Sequence, residues 1–111
     1  MSVGVNGFDM VVSRTLGKPV MQLSGELDFD TVPRFRAAMG ALLDEGEVEV
    51  TIDLRELEFI DSKGLGALVG AFKRFRAAGG NVILSGPSRS TMKVLEISGL
   101  SQVFDIEPGA A

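Results

Sequence analysis

The stretch Phe59-Ile60-Asp61-Ser62-Lys63-Gly64-Leu65-Gly66 concentrates the residue types that could carry a chemical signal. An apolar approach gives way at Asp61-Ser62 to helical spacing, so a carboxylate and a hydroxyl stand together at a helix start. Serine there is a favoured N-cap, its hydroxyl accepting a hydrogen bond from the backbone N–H of Gly64 or Leu65. The same place suits a phosphate, because free amides and the positive end of the helix dipole favour an anion by about 0.3–1 kcal/mol at an exposed site. A phosphoserine brings about −1.5 to −2 charges at pH 7, which weakens a docked surface by repulsion and by the cost of desolvating the dianion. Binding would fall while the fold survived. Gly64 and Gly66 lower the ridge beside Ser62 for a visiting active site, let the helix lie close to the sheet, or do both. Each costs roughly 0.5–1 kcal/mol relative to alanine, so a compensating purpose is expected.

Catalysis is a poor fit to the composition. The 111 residues include no cysteine and no histidine, which removes the thiol nucleophiles, the preferred zinc ligands and every Ser-His or Cys-His pairing. A Ser62–Lys63 dyad is badly arranged, because adjacent residues on a helix do not face one another. The G-x-S-x-G elbow, the P-loop and G-x-G-x-x-G after a strand are all missing. No enzyme activity, metal or cofactor is expected. A formal charge of −4 argues against nonspecific nucleic-acid binding, which relies on Lys and Arg neutralising phosphates. The cluster Lys73, Arg74 and Arg76 reads as a solvated helix face.

The elements that must position Ser62 follow from periodicity. Phe8, Met10 and Val12 alternate as a strand with one face toward a core, Gly17-Lys18-Pro19 reverses the chain, and an apolar run resumes at Val20 to Ser24. Asp28, Asp30 and Thr31 offer capping oxygens ahead of Val32, Phe35, Met39 and Leu42, whose spacing predicts a helix with Pro33 in its first turn and Gly46 at its exit. Val48, Val50, Ile52 and Leu54 form the strongest strand, and a connection through Leu57, Phe59 and Ile60 leads to Ser62. Leu65, Leu68, Val69, Phe72 and Phe75 then mark a second helix, with Leu68 and Phe72 turned to the sheet. Asn81 to Ser85 reads as a strand, Ser90 to Ser98 as a last helix, and Val103 to Ile106 as a short edge strand.

A hairpin feeding strand-helix-strand units with right-handed crossovers predicts an α/β fold, a mixed four- to five-stranded sheet with helices packed against it. The length suits one domain over 1–111. Neither repeat nor linker interrupts it, and the first residues and the closing Pro-Gly-Ala-Ala are expected to fray. The opening MSVGVNGFDM has neither a basic start nor a long apolar run and is not read as a signal peptide. Nothing approaches the roughly 20 apolar residues of a membrane span. A soluble, cytoplasmic protein is expected.

Five blocks carry a resemblance. Leu23-Ser24-Gly25-Glu26-Leu27-Asp28, Thr51-Ile52-Asp53-Leu54, Phe59-Ile60-Asp61-Ser62, Gly64-Leu65-Gly66-Ala67-Leu68 and Ser98-Gly99-Leu100 resemble, in order and spacing, the successive signatures of the STAS family. The match runs from about Val20 to Ile106, and agreement of separated blocks is far more specific than any one alone. The resemblance, to the anti-sigma factor antagonists of that family, implies a domain phosphorylated on the serine after the aspartate by an anti-sigma factor that is itself a serine kinase. The unphosphorylated form binds that kinase and frees a sigma factor, and a phosphatase resets the switch. Carried onto this chain, the acceptor is Ser62, and Asp28, Asp61, Lys63, Gly64 and Gly66 line the partner surface. Many members with a phosphorylated serine have Ser or Thr next, whereas Lys63 follows here; it could offset part of an added phosphate's charge or meet an acidic partner. The alternative is a phosphorylation-silent STAS scaffold in a larger signalling or lipid-transport assembly.

Overall fold

In the computed structural model, which describes residues 7–108, the chain opens as a hairpin of β1 (Asp9–Thr15) and β2 (Lys18–Leu27). The strands pair antiparallel from Asp9↔Ser24 to Thr15↔Lys18. Leu16 and Gly17 make the turn with φ of 53° and 81°, a two-residue left-handed reversal whose twist matches paired strands. The reversal therefore falls before Lys18 and Pro19, which open β2 instead of turning the chain. Phe8 is buried, but Val12, expected to face the core, is half exposed on the outermost strand. The end of the expected frayed tail, residues 109–111, lies outside the described residues, as do residues 1–6.

From β2 onward helices alternate with parallel strands: α1 (Val32–Asp44), β3 (Glu49–Ile60), α2 (Ser62–Ala77), β4 (Asn81–Ser85), α3 (Arg89–Ile97), a single 3-10 turn at Leu100–Gln102, and β5 (Asp105–Glu107). The strands lie in the order β1-β2-β3-β4-β5, with β2 through β5 parallel. Stepping in one direction by right-handed crossovers puts the connecting helices on one face of the sheet. Burial follows that pattern. Met21, Leu23, Val50, Ile52, Leu54, Val82 and Leu84 are fully buried, whereas their neighbours Val20, Gln22, Thr51, Ile83 and Ser85 are only partly covered.

β3 runs on where the sequence suggested a connection. Its register against β2 shifts twice, between Gln22 and Ser24 and between Gly25 and Glu26, each time fitting one more residue on β3 than on β2. Such irregularities bend a strand and re-aim its side chains. Leu54, Leu57 and Ile60 are consequently three apart yet all buried, a spacing that breaks the two-residue alternation of a regular strand. The continued strand delivers Asp61 directly to the start of α2.

On the open face Asp53 is the one buried charged residue among those described. Arg55 grips it, with Nη2 at 2.8 Å and Nε at 3.1 and 3.2 Å from the carboxylate oxygens. Burial pushes the Asp53 carboxyl up, but the hydrogen bonds and charge of Arg55 together outweigh it and hold the group below its ordinary value.

The helices seat themselves by their apolar stripes. α1 buries Val32, Phe35, Met39 and Leu42, and α2 buries Gly64, Ala67, Leu68, Ala71 and Phe75. Phe72, expected to face the sheet, is only partly covered and meets Phe104 edge to face, with ring centroids 5.1 Å apart. It ties α2 to the segment before β5, while Phe75 is the ring wholly removed from water. Phe75→Ala should cost about 3–5 kcal/mol in urea unfolding, and Phe72→Ala clearly less. Equal losses would mean that α2 is rotated relative to this packing.

Candidate functional site

β2 and β3 end side by side, with Leu27 opposite Ile60, so the loop into α1 and the start of α2 emerge together. Asp61 joins them. Its N–H donates to the Leu27 carbonyl at 3.3 Å, its Oδ1 accepts the Gly64 N–H at 2.8 Å, and its Oδ2 accepts the Phe29 N–H at 3.1 Å. The residue takes extended backbone as the N-cap of α2 and satisfies one of the amides a helix start leaves without an internal acceptor. The cap predicted for Ser62 thus belongs to Asp61. Asp61 wins because the carboxylate sits one residue earlier, where a side chain reaches the third helical amide, and because an anion gains more there than a hydroxyl does.

Ser62 is accordingly the first helical residue. It is exposed, and among the described residues its hydroxyl has no hydrogen-bond partner. Lys63 beside it is also exposed. The hydroxyl is free of the structural duty assigned to it and open to a reacting group from outside.

The two glycines divide the explanations offered for them. A Cβ on Gly64 would stand 2.3 Å from the Leu27 carbonyl oxygen and 2.7 Å from Ile60 Cγ1, so this glycine lets α2 press against the ends of β2 and β3. A Cβ on Gly66 would meet nothing within 4 Å. Gly66 keeps the outer surface low and has no packing role among the described residues.

Asp28 sits in the adjoining loop and works on its own backbone. Its Oδ1 accepts the N–H groups of Asp30 at 3.0 Å and Thr31 at 3.2 Å, and its carbonyl accepts Val32 N–H at 2.9 Å. Thr31, fully buried, donates its hydroxyl to the Glu26 carbonyl at 2.9 Å and accepts the Asp28 N–H at 2.9 Å. The loop is thereby fixed, and Asp28 shapes the surface next to Ser62 through it. The sequence reading passes over Phe29, which is 70% exposed although its own amide is held by Asp61. An aromatic residue between two loop aspartates was the available signal.

Among the described residues no group of three or more His, Cys, Asp or Glu side chains is placed to hold a metal ion, and no helix is long and apolar enough to cross a membrane.

The chain, a hairpin followed by the parallel run of β2 to β5 with its connecting helices, matches the STAS domain over residues 9–110. The chain belongs to that family. It is 38% identical over 93 residues to the anti-sigma F factor antagonist of Lysinibacillus sphaericus, covering 83% of this chain and 77% of that protein. The crystal structure of an anti-sigma factor antagonist from Mycobacterium paratuberculosis aligns with a TM-score of 0.84 at 26% identity, over 95% of this chain and 89% of that one. The Bacillus cell fate determinant SpoIIAA, in its phosphorylated form, aligns with a TM-score of 0.68 at 30% identity over 89% of each chain.

Because Asp61 holds the cap, Asp61→Ala should lower stability by about 0.5–2 kcal/mol in denaturant titrations. Ser62→Ala should stay within about 0.5 kcal/mol of the wild type. A larger loss for the serine variant would return the cap to Ser62.

Proposed function

We propose that this chain is a cytoplasmic anti-sigma factor antagonist switched by phosphorylation of Ser62. The unphosphorylated form binds an anti-sigma factor that is itself a serine kinase and so releases a sigma factor. The kinase phosphorylates Ser62 and ends the complex, and a phosphatase restores the binding form. Asp28, Asp61, Lys63 and Gly66 belong to the contact surface around the acceptor, whereas Gly64, expected there from the sequence, is buried against the ends of β2 and β3 and supports that surface from beneath. The observation that carries the reading is the exposed Ser62, whose hydroxyl has no hydrogen-bond partner among the described residues, at a helix start whose cap is supplied by its neighbour. The named relatives support it, one of them solved in a phosphorylated form.

Simple electrostatics account for a switch without unfolding. A phosphate on Ser62 meets the positive end of α2, a gain of about 0.3–1 kcal/mol. It also stands beside the Asp61 carboxylate, and a dianion ~5 Å from a single negative charge in water is repelled by about 1–2 kcal/mol. The net cost within the molecule is about 1 kcal/mol, small against total stabilities of about 5–15 kcal/mol for domains of this kind. At an interface the same dianion must lose its water, a cost that Lys63 and the helix end offset only in part.

Incubation with a purified anti-sigma serine kinase and ATP should add one phosphate, located to Ser62 by mass spectrometry. Ser62→Ala should bind that kinase without being released by ATP, and Ser62→Asp should bind about tenfold or more weakly. Label on another residue, or wild-type affinity in Ser62→Asp, would refute the switch.

A further inference from the structure

Beside Ser62 an open groove of about 390 Å³ runs between the β2–α1 loop, the first turns of α1 and the start of α2, lined by Phe29, Asp30, Val32, Pro33, Arg36 and Lys63. We propose that this groove selects the partner: Phe29 is the apolar anchor, and Arg36 and Lys63 form a basic rim for a segment of the anti-sigma kinase that presents an apolar side chain flanked by a carboxylate. This rests on the reading of Ser62 as the kinase-regulated surface, and it adds residues which that reading leaves unassigned.

Phe29 is 70% exposed, yet its backbone is not loose. Its amide is tied to Asp61 Oδ2 at 3.1 Å, the Asp30 and Thr31 amides that follow are held by the Asp28 carboxylate, and the Asp28 amide before it donates to Thr31 Oγ1. A large ring presented on a fixed backbone loses little freedom when it is covered, which is the property of an interface anchor. Val32 and Pro33 continue the apolar wall behind it.

Charge completes the groove's character. The chain as a whole carries −4, but the groove holds two cations against the single carboxylate of Asp30. Arg36 and Lys63, like the other cations outside the ion pairs of Arg14, Lys18 and Arg55, have no acidic partner among the described residues and are free to meet a partner's charge. The nearby Asp61 carboxylate has both oxygens, and Asp28 its Oδ1, engaged by backbone amides. Two unpaired cations beside an exposed ring call for an acidic, apolar segment on the other side. Lys63 then has a place in the switch as well: a phosphate on Ser62 draws the neighbouring ammonium to itself and leaves the partner's carboxylate without its counter-charge.

The test uses the full chain and a purified anti-sigma serine kinase that labels the wild type on Ser62, with affinity measured by calorimetry at low and at high salt. Phe29→Ala should weaken binding about tenfold or more, with part of the loss recovered in Phe29→Leu. Arg36→Glu should weaken it by a similar factor at low salt and by much less at high salt. Ile97→Ala, which removes another exposed side chain at the end of α3, should bind within about twofold of wild type. Unchanged melting curves for all these variants exclude a folding defect. Phe29→Ala and Arg36→Glu both binding like wild type, to a kinase that still phosphorylates Ser62, would overturn the groove and leave the reading of Ser62 standing. If no such kinase binds the wild-type chain, both fall.

Discussion

The site depends on one carboxylate that does two things. Asp61 caps α2 through Gly64 and holds the β2–α1 loop through Phe29, so the start of one helix and the approach to another are fixed by the same side chain. The carboxylate can reach both because β2 and β3 are parallel and end in step, Leu27 opposite Ile60. The long, irregular β3 brings its final residues to that level. Gly64 then allows α2 to leave the sheet at close range, where any side chain would strike the Leu27 carbonyl. Strand register, helix cap and missing side chain are parts of one arrangement.

Its consequence is a division of labour at adjacent positions. With the cap held by Asp61, the Ser62 hydroxyl has no hydrogen-bond partner among the described residues, so its alteration is expected to leave the helix start in place. Under the proposed switch, charge rather than unfolding would then change affinity. Gly66 and Gly64 divide in the same way, one keeping the outer surface low and the other making the inner contact.

Much of this was legible in the sequence because it rests on local pattern. The buried stripe of α1 at Val32, Phe35, Met39 and Leu42, the strand Asn81–Ser85 and the chain exit at Gly46 follow from spacing and backbone preference alone. What escaped depends on contacts between distant segments. Leu57 and Ile60 looked like a connection because the extra residues of β3 show only against β2. Phe72 looked like core because its stripe is apolar, while Phe104, from another part of the chain, takes it sideways. Asp61 and Ser62 are both good caps, and sequence statistics do not separate neighbours. The bond to Phe29, a residue 32 positions away, belongs to the tertiary structure.

The double role of Asp61 is most directly tested by amide hydrogen exchange, followed residue by residue by NMR in the wild type and in Asp61→Ala. If one carboxylate secures both segments, the Gly64 and Phe29 amides should lose protection together while the amides of β3 and β4 exchange as before. Loss at Gly64 with Phe29 unchanged would show that the loop is held by other means, and would contradict the coupling on which the site is built.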